Sequence, residues 1–316
     1  MEIAIVKEIA AHGKETRPIL LPREVKRLTD EGHRVFVEKG LGEKIYIFDA
    51  EYESHGAKIL ANRRQLFRKS IVVKLKPPLP QEFRLLRNNL LFCMLHGEQN
   101  PQYVWMLERA RCKAIAMELI RNRAGERLIS CCDISGEQGM LMALHLAKKS
   151  PTDCSVLMLG YGSVATGALK TALALGARVK ILRKSEYRYI RHFLRRRDIV
   201  VNAVSWPKEK RDDKEYLVTR DMLSLMNKGG IVLDLSVDYP SIIETCRPTL
   251  IDRPTYEIDG IVHIGIFGYP GLVPISSAMR YSHQILPILL KIASVPLERL
   301  PLYLKRALID PQYYIF

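Results

Sequence analysis

The stretch Ser155–Ser185, SVLMLGYGSVATGALKTALALGARVKILRKS, decides the fold. Five apolar residues end at Gly160. Then Gly160-Tyr161-Gly162-Ser163-Val164-Ala165 reads G-x-G-x-x-A, and an Ala- and Leu-rich helical run leads to a second strand, RVKIL. A glycine triplet alone is weak evidence, but strand, turn, helix and strand in this order form the setting in which it holds a dinucleotide pyrophosphate. Gly160 permits the tight turn, Gly162 lets the backbone approach the phosphates, and Ala165 keeps the helix close to the sheet. Ser163 and Val164 open the helix, where unpaired N–H groups and the positive dipole end favour an anion.

The end of the second strand separates two nucleotide classes. An NAD site usually places Asp or Glu there to accept the ribose 2′-hydroxyl. This chain has Arg183, followed by Lys184 and Ser185. A guanidinium binds a 2′-phosphate through two charge-assisted hydrogen bonds, whereas a carboxylate repels it. Arg183 and Lys184 therefore predict NADP(H).

Outward from this unit, short apolar runs alternate with helical patterns along nearly all of the chain, the signature of parallel α/β units. Strands are expected at 3–6, 34–38, 70–75, 90–95 and 113–118, then at 155–159, 178–182, 198–203, 230–235 and 261–265. Helices are expected at 22–31, 62–68, 80–87, 101–111, 163–175, 187–195 and 219–226, with a long amphipathic one after Pro274 and a shorter one at 296–307. The polar segment 120–139 interrupts the pattern and marks a crossing between domains. Ser135 is placed as the cap of a helix over about 137–149 and is counted among the cofactor contacts. The reading is an α/β protein of two Rossmann-like domains with parallel sheets and an active site in the cleft between them. Residues 1–134 with 275–316 form the substrate domain, and 135–274 the dinucleotide domain.

Composition narrows the class. The 316 residues are 47% hydrophobic and 26% charged, an ordinary globular balance. No secretory signal or bilayer-length apolar run is visible, so a cytoplasmic protein without membrane partners is expected. The six cysteines form no CxxC pair, which speaks against a metal site or a disulfide framework. The net charge of +15 raises nucleic acid as a partner. Its Lys and Arg residues are scattered, however, except for Arg191–Arg197, and anionic small ligands on basic faces are the favoured reading.

Three features outside the dinucleotide unit carry chemistry. Arg17 lies in GKETRPILLP, Lys76 follows an apolar strand in VVKLKPP, and His96 ends another in LLFCMLHGE. Strand ends of a parallel sheet face the ligand crevice, so Lys76 and His96 point to one cleft. A lysine there binds a carboxylate or polarises a carbonyl, and a histidine passes a proton near neutral pH.

These segments, with GHRVFVEKGLGE, KGGIVLDLSVDYP, ETCRPT, DRPTY and GYPGLVPISS in the same order, resemble the alanine dehydrogenase and transhydrogenase superfamily, which includes saccharopine dehydrogenase and carboxyethyl-ornithine synthase. The resemblance implies that Arg17 and Lys76 hold a 2-oxo acid, that His96 transfers the proton, and that Asp238 of DLSVDYP is an active-site acid, with Asp234 earlier in the strand. It also implies a homo-oligomer, a dimer by the family's habit. Two departures bear on specificity. Arg183 replaces the acid usual in alanine dehydrogenases, and Gly268-Tyr269-Pro270 replaces their N-M-P, which puts Tyr269 among the expected substrate contacts. The compact segment after Arg183 is more similar to carboxyethyl-ornithine synthase. That similarity implies an NADPH-linked condensation of pyruvate with ornithine or lysine. Ammonia as the amine (alanine dehydrogenase) and 2-oxoglutarate as the acid (a saccharopine-type reaction) are the alternatives. A nucleotide- or nucleic-acid-binding regulator is the alternative of another class.

Overall fold

The computed structural model describes residues 1–9, 15–97 and 100–312. The chain divides into two compact units, Met1–Ser130 with Pro274–Phe316, and Cys131–Val273.

In the first unit β1 (Glu2–Ile5), α1 (Pro22–Asp30), β2 (Arg34–Glu38), α2 (Asp49–Ser54), β3 (Lys58–Leu60), α3 (Arg63–Leu66), β4 (Ile71–Val73), α4 (Pro80–Phe83), β5 (Leu90–Cys93), α5 (Pro101–Ala110) and β6 (Lys113–Ala116) follow in order. The second unit holds α6 (Cys132–Leu146), β7 (Ser155–Leu159), α7 (Ser163–Ala174), β8 (Arg178–Leu182), α8 (Ile190–Leu194), β9 (Ile199–Asn202), α9 (Lys208–Asp212), β10 (Ile231–Asp234), β11 (Thr255–Ile258) and β12 (Ile261–Ile264). The chain then returns to the first unit as α10 (Pro274–Ser294), α11 (Leu302–Lys305) and β13 (Leu308–Ile309).

The first sheet runs β13-β6-β5-β4-β1-β2-β3, parallel except for β13. Its central strands are uniformly apolar and buried, IVV in β4 and LLFC in β5, as expected for strands covered on both faces. α10 seals one face through a polar contact: Ser282 Oγ accepts from the Leu21 N–H at 2.8 Å and donates to Glu24 at 2.8 Å. The second sheet runs β11-β12-β10-β9-β7-β8, parallel except for the β11–β12 hairpin. The chain is an α/β protein with two Rossmann-like sheets.

Glycine governs one packing decision in the second unit. α6 and α7 approach so closely that a Cβ on Gly136 would lie 2.0 Å from the Val164 carbonyl oxygen, and one on Gly167 would lie 1.9 Å from that of Asp133. Several expected elements differ. The helix expected from about 137 begins at Cys132, so Ser135 is not its cap. Ser135 sits in the first turn and donates its hydroxyl to the Cys131 carbonyl at 3.1 Å. The segment expected as a helix over 219–226 is a 3-10 turn, Arg220–Leu225. The helix expected over 296–307 is split at Pro301, which opens α11 as its cap.

Candidate active site

In the first sheet the chain completes β1, β2 and β3 on one side and then crosses to β4 on the other side of β1. Such a reversal opens a crevice beyond the carboxyl ends of the two central strands. Glu8 follows β1, Lys76 follows β4, His96 follows β5 and Glu118 follows β6, four neighbouring strand ends in one row.

Two of these are buried carboxylates that hold the backbone of the other two. Glu8 Oε1 accepts the main-chain N–H groups of Leu75 at 2.9 Å and Lys76 at 3.1 Å. Its Oε2 accepts Lys74 Nζ at 2.9 Å. Lys74 is wholly buried and lies 3.6 Å from Glu82 as well, so its charge is neutralised inside the fold. Glu118 repeats the device at the next strand, accepting the N–H of Leu95 at 3.0 Å and of His96 at 2.6 Å. His96 adopts φ 52, a left-handed conformation costing a non-glycine residue of order 1–3 kcal/mol. The Glu118 bond and the two bonds that the His96 carbonyl accepts from Asn100 fix that conformation.

The electrostatics follow from burial and from two cations. Burial, then the charges of Lys76 and Arg127, push the His96 imidazole down to about 4, so the ring is neutral at physiological pH. Burial and the Arg17 cation likewise lower Lys76, against the opposing pull of Glu15 and Glu8. Burial raises the Glu118 carboxyl, although the N–H groups it accepts and Arg127 work in the other direction.

Arg17 joins the group with only 4% of its surface exposed and its guanidinium 5.5 Å from the Tyr281 ring. Its fork is already engaged: Nε donates to Glu15 at 2.6 Å and Nη2 at 2.5 Å. Burial raises Glu15, but Arg17 overrides this and holds its carboxyl below the usual range. Arg17, in the connection before α1, is near enough to act on Lys76, and Lys76 on His96, so the three belong to one cluster of the first unit. Glu8, Glu15, Glu118 and Arg127 are functional neighbours that sequence reasoning passed over. The one sequence signal for Glu8 and Glu118 is an acid placed directly after an apolar strand.

In the second unit the glycine turn follows β7, whose neighbours β8 and β9 lie on opposite sides, again a switch point. Gly160 has φ +84, and a Cβ there would meet Val204 and the Ala203 carbonyl. Gly162 is the N-cap of α7, with no side-chain cap, and a Cβ there would meet nothing within 4 Å. The first N–H groups of α7, from Ser163 and Val164 onward, have no side-chain cap, and the space beside Gly162 is open, which fits a pyrophosphate. Gly136 packs on this same turn of α7, while the Ser135 hydroxyl is turned to the Cys131 carbonyl. Arg183 and Lys184 are exposed at the end of β8. The nearby acid, Glu186, is committed to the Arg183 N–H at 2.8 Å and to Lys180 at 2.8 Å. Arg183 has no carboxylate paired with its guanidinium among the described residues.

A third buried carboxylate organises the loop that carries Asp238. Asp234 accepts the N–H groups of Ser236 and Val237, each at 3.0 Å, the Asn202 amide at 2.9 Å and the Ser241 hydroxyl at 2.9 Å. These bonds hold Val237 at φ 55. Asp238 is half-buried, 3.7 Å from Arg211, and burial raises its carboxyl against that cation. Tyr269 is a correction. Only 2% exposed, it donates its hydroxyl to the Asp234 carbonyl at 2.8 Å and lies against Gly139, so its side chain belongs to the core of this unit and not to a substrate surface.

An α/β chain with a dinucleotide turn in one unit, and a lysine, a histidine and an arginine at parallel strand ends in the other, has the parts of a nicotinamide-linked oxidoreductase. Comparison with known proteins gives the family. The N-terminal domain model of alanine dehydrogenase/PNT matches residues 4–132, and the C-terminal domain model matches 182–303. The chain belongs to the alanine dehydrogenase/PNT family, whose members bind a nicotinamide dinucleotide, and is an oxidoreductase of the class acting on CH–NH groups. Alanine dehydrogenase 1 of Staphylococcus aureus (strain N315) is 28% identical over 338 aligned positions, covering 95% of this chain and 89% of the relative. An L-alanine dehydrogenase structure matches with TM-score 0.84 and 27% identity over 98% of this chain and 94% of the other. The transhydrogenase from Sinorhizobium meliloti shares the fold at TM-score 0.80 and 21% identity, covering 93% of this chain and 94% of that one. Among the described residues, no helix is long and apolar enough to cross a membrane.

Proposed function

We propose that the protein catalyses the reductive amination of a 2-oxo acid, with pyruvate and ammonia as the first substrates to test and NADP(H) as the dinucleotide. The observation that carries this reading is the cluster at the ends of β4 and β5: Lys76 and a neutral His96 on backbone pinned by buried carboxylates, with the Arg17 cation acting on Lys76. The similarity to alanine dehydrogenases supports ammonia as the amine. Arg183, with no carboxylate of its own, supports NADP(H) over NAD(H).

Arg17 and Lys76 hold the acid's carboxylate, and Lys76 Nζ donates toward its carbonyl oxygen. Burial and Arg17 lower the basicity of Lys76, while Glu15 and Glu8 work to keep its ammonium form, which donates hydrogen bonds and is not a nucleophile. The imine and carbinolamine stages need a group that both accepts and returns a proton. Neutral His96 accepts one at its ring nitrogen, and its imidazolium returns it as water leaves. General acid–base help of this kind is worth roughly a hundredfold to ten-thousandfold. A nicotinamide dinucleotide, when bound, would supply the hydride that reduces the imine carbon. Asp238 is assigned to the amine or iminium, since a half-buried carboxylate stabilises such a cation. The dinucleotide itself is held by Gly160, Gly162, the N–H groups of Ser163 and Val164, and Arg183 with Lys184.

A second reading replaces ammonia by ornithine or lysine and yields a carboxyethyl amino acid. Arg183 and the short segment that follows it favour this alternative. The test is one incubation series: enzyme, NADPH and pyruvate with ammonia, ornithine or lysine, followed by mass spectrometry of the product. Alanine alone supports the first reading, and a carboxyethyl amino acid the second. No oxidation of NADPH with any of these amines would overturn both.

A further inference from the structure

The first sheet has a second ligand-sized cavity at its opposite end. It is lined by Arg68, Lys69, Arg87, Arg111 and Lys113 on one side and by Ile292, Val295, Pro296 and Leu297 on the other, with a volume of about 540 Å³. Among the described residues no Asp or Glu lines it. Ser70-Ile71, Asn89-Leu90 and Lys113 place it at the amino ends of β4, β5 and β6, whereas Lys76 and His96 lie past the carboxyl ends of β4 and β5. A ligand in this cavity does not share the crevice already described.

The charges are not balanced from within. Lys113 pairs with Asp310 at 2.7 Å, and Lys69 reaches Glu2 at 3.5 Å while lying over the Phe36 ring. Arg68 and Arg111 are exposed and have no ion pair among the described residues, and Arg87 donates only to the Leu86 carbonyl. Three arginines thus line one concavity with no carboxylate paired to them among the described residues, and guanidinium forks match phosphate oxygens two at a time. The volume falls within the roughly 300–1,000 Å³ of small-molecule sites. The apolar wall, whose Ile292 is buried at the end of α10, suits the uncharged body of a ligand whose phosphates face the arginines.

We propose that this cavity is a second binding site, for a small organic polyphosphate of the nucleoside triphosphate type. It is distinct from the dinucleotide turn of the other unit. A concavity of this volume, basic on one side and apolar on the other, favours a compact ligand over an extended nucleic acid strand.

The test is isothermal titration of the full-length protein with ATP and with inorganic tripolyphosphate, with and without saturating NADPH. Arg111 supplies an informative variant. It caps α5 at φ 53, a conformation that glycine adopts freely, so Arg111→Gly removes the charge while keeping or improving the fold. Combined with Arg68→Gln, it is expected to weaken ATP binding at least tenfold without lowering the melting temperature, and NADPH is expected to leave ATP binding intact. Weaker binding of tripolyphosphate than of ATP supports the role of the apolar wall, and equal binding refutes that role. The site is overturned by an absence of ATP binding, by unchanged affinity in the double variant, or by ATP binding lost only in Arg183→Ala or with NADPH present. A single-stranded oligoribonucleotide that displaces ATP at lower concentration would overturn the small-ligand assignment.

Discussion

His96 offers the sharpest physical test, because its protonation is set by neighbours that can be removed singly. With the imidazole pushed to about 4 by burial and by Lys76 and Arg127, only about one molecule in a thousand carries the imidazolium at pH 7. Lys76→Met deletes one cation, and Arg127→Gln the other. Each change favours the protonated ring, so each should raise the midpoint from about 4 toward the ordinary 6.5. The same shift has a stability consequence. The ring titrates near 6.5 in the unfolded chain and near 4 in the folded one, so protons bind the unfolded state more readily between those values. Stability is therefore unaffected above pH 6.5 and is lost progressively as the pH falls through 4, by on the order of 3 kcal/mol for 2.5 pH units. His96→Gln should remove this acid sensitivity. Carbon-proton NMR of the histidine rings across pH reports the midpoint, and urea unfolding at pH 7 and pH 4 reports the linkage. A wild-type midpoint near 6.5, or one that Lys76→Met leaves in place, would refute the electrostatic account.

The remaining expectations concern positioning, cofactor choice and packing. Glu118→Ala leaves two buried N–H groups without their acceptor, at about 1–3 kcal/mol each, and should lower kcat at least tenfold with a smaller change in KM. Glu118→Gln, which keeps one acceptor oxygen, should recover part of that loss; equal rates in both variants would contradict the positioning role. Arg183→Ala should raise KM for NADPH by about tenfold to a hundredfold while leaving NADH kinetics unchanged. Tyr269→Phe should cost about 1 kcal/mol of stability, measured by urea unfolding, with no change in KM for the 2-oxo acid. Gly136→Ala should destabilise the second unit by about 3 kcal/mol or more, since its Cβ would meet a backbone oxygen that cannot retreat.

The α/β class and most strands were legible because parallel strands are unbroken apolar runs punctuated by turns: 34–38 as a strand and a helix from Pro22 need no tertiary information. α2, in contrast, rests on one buried residue, Tyr52, and shows no helical repeat. β11 is a half-exposed edge strand paired antiparallel, against the parallel pattern of the rest. Ser135 misled because a serine before an apolar helical run resembles a cap, while the helix already begins at Cys132. Among the candidate site residues, Lys76 and His96 stand out in the sequence as polar side chains ending apolar strands. Glu8, Glu118 and Asp234 did not, because their work is done through main-chain N–H groups whose proximity only the folded sheets create. Tyr269 stood out as a departure from a motif, but its hydroxyl is used internally.

The most direct measurement is the rate of NADPH oxidation with pyruvate and an amine in the wild-type protein and in His96→Gln, each shown folded. Turnover that requires both substrates and falls at least a hundredfold in the variant is the predicted result. Turnover that survives the loss of His96 undiminished would contradict its assignment as the proton-transfer group.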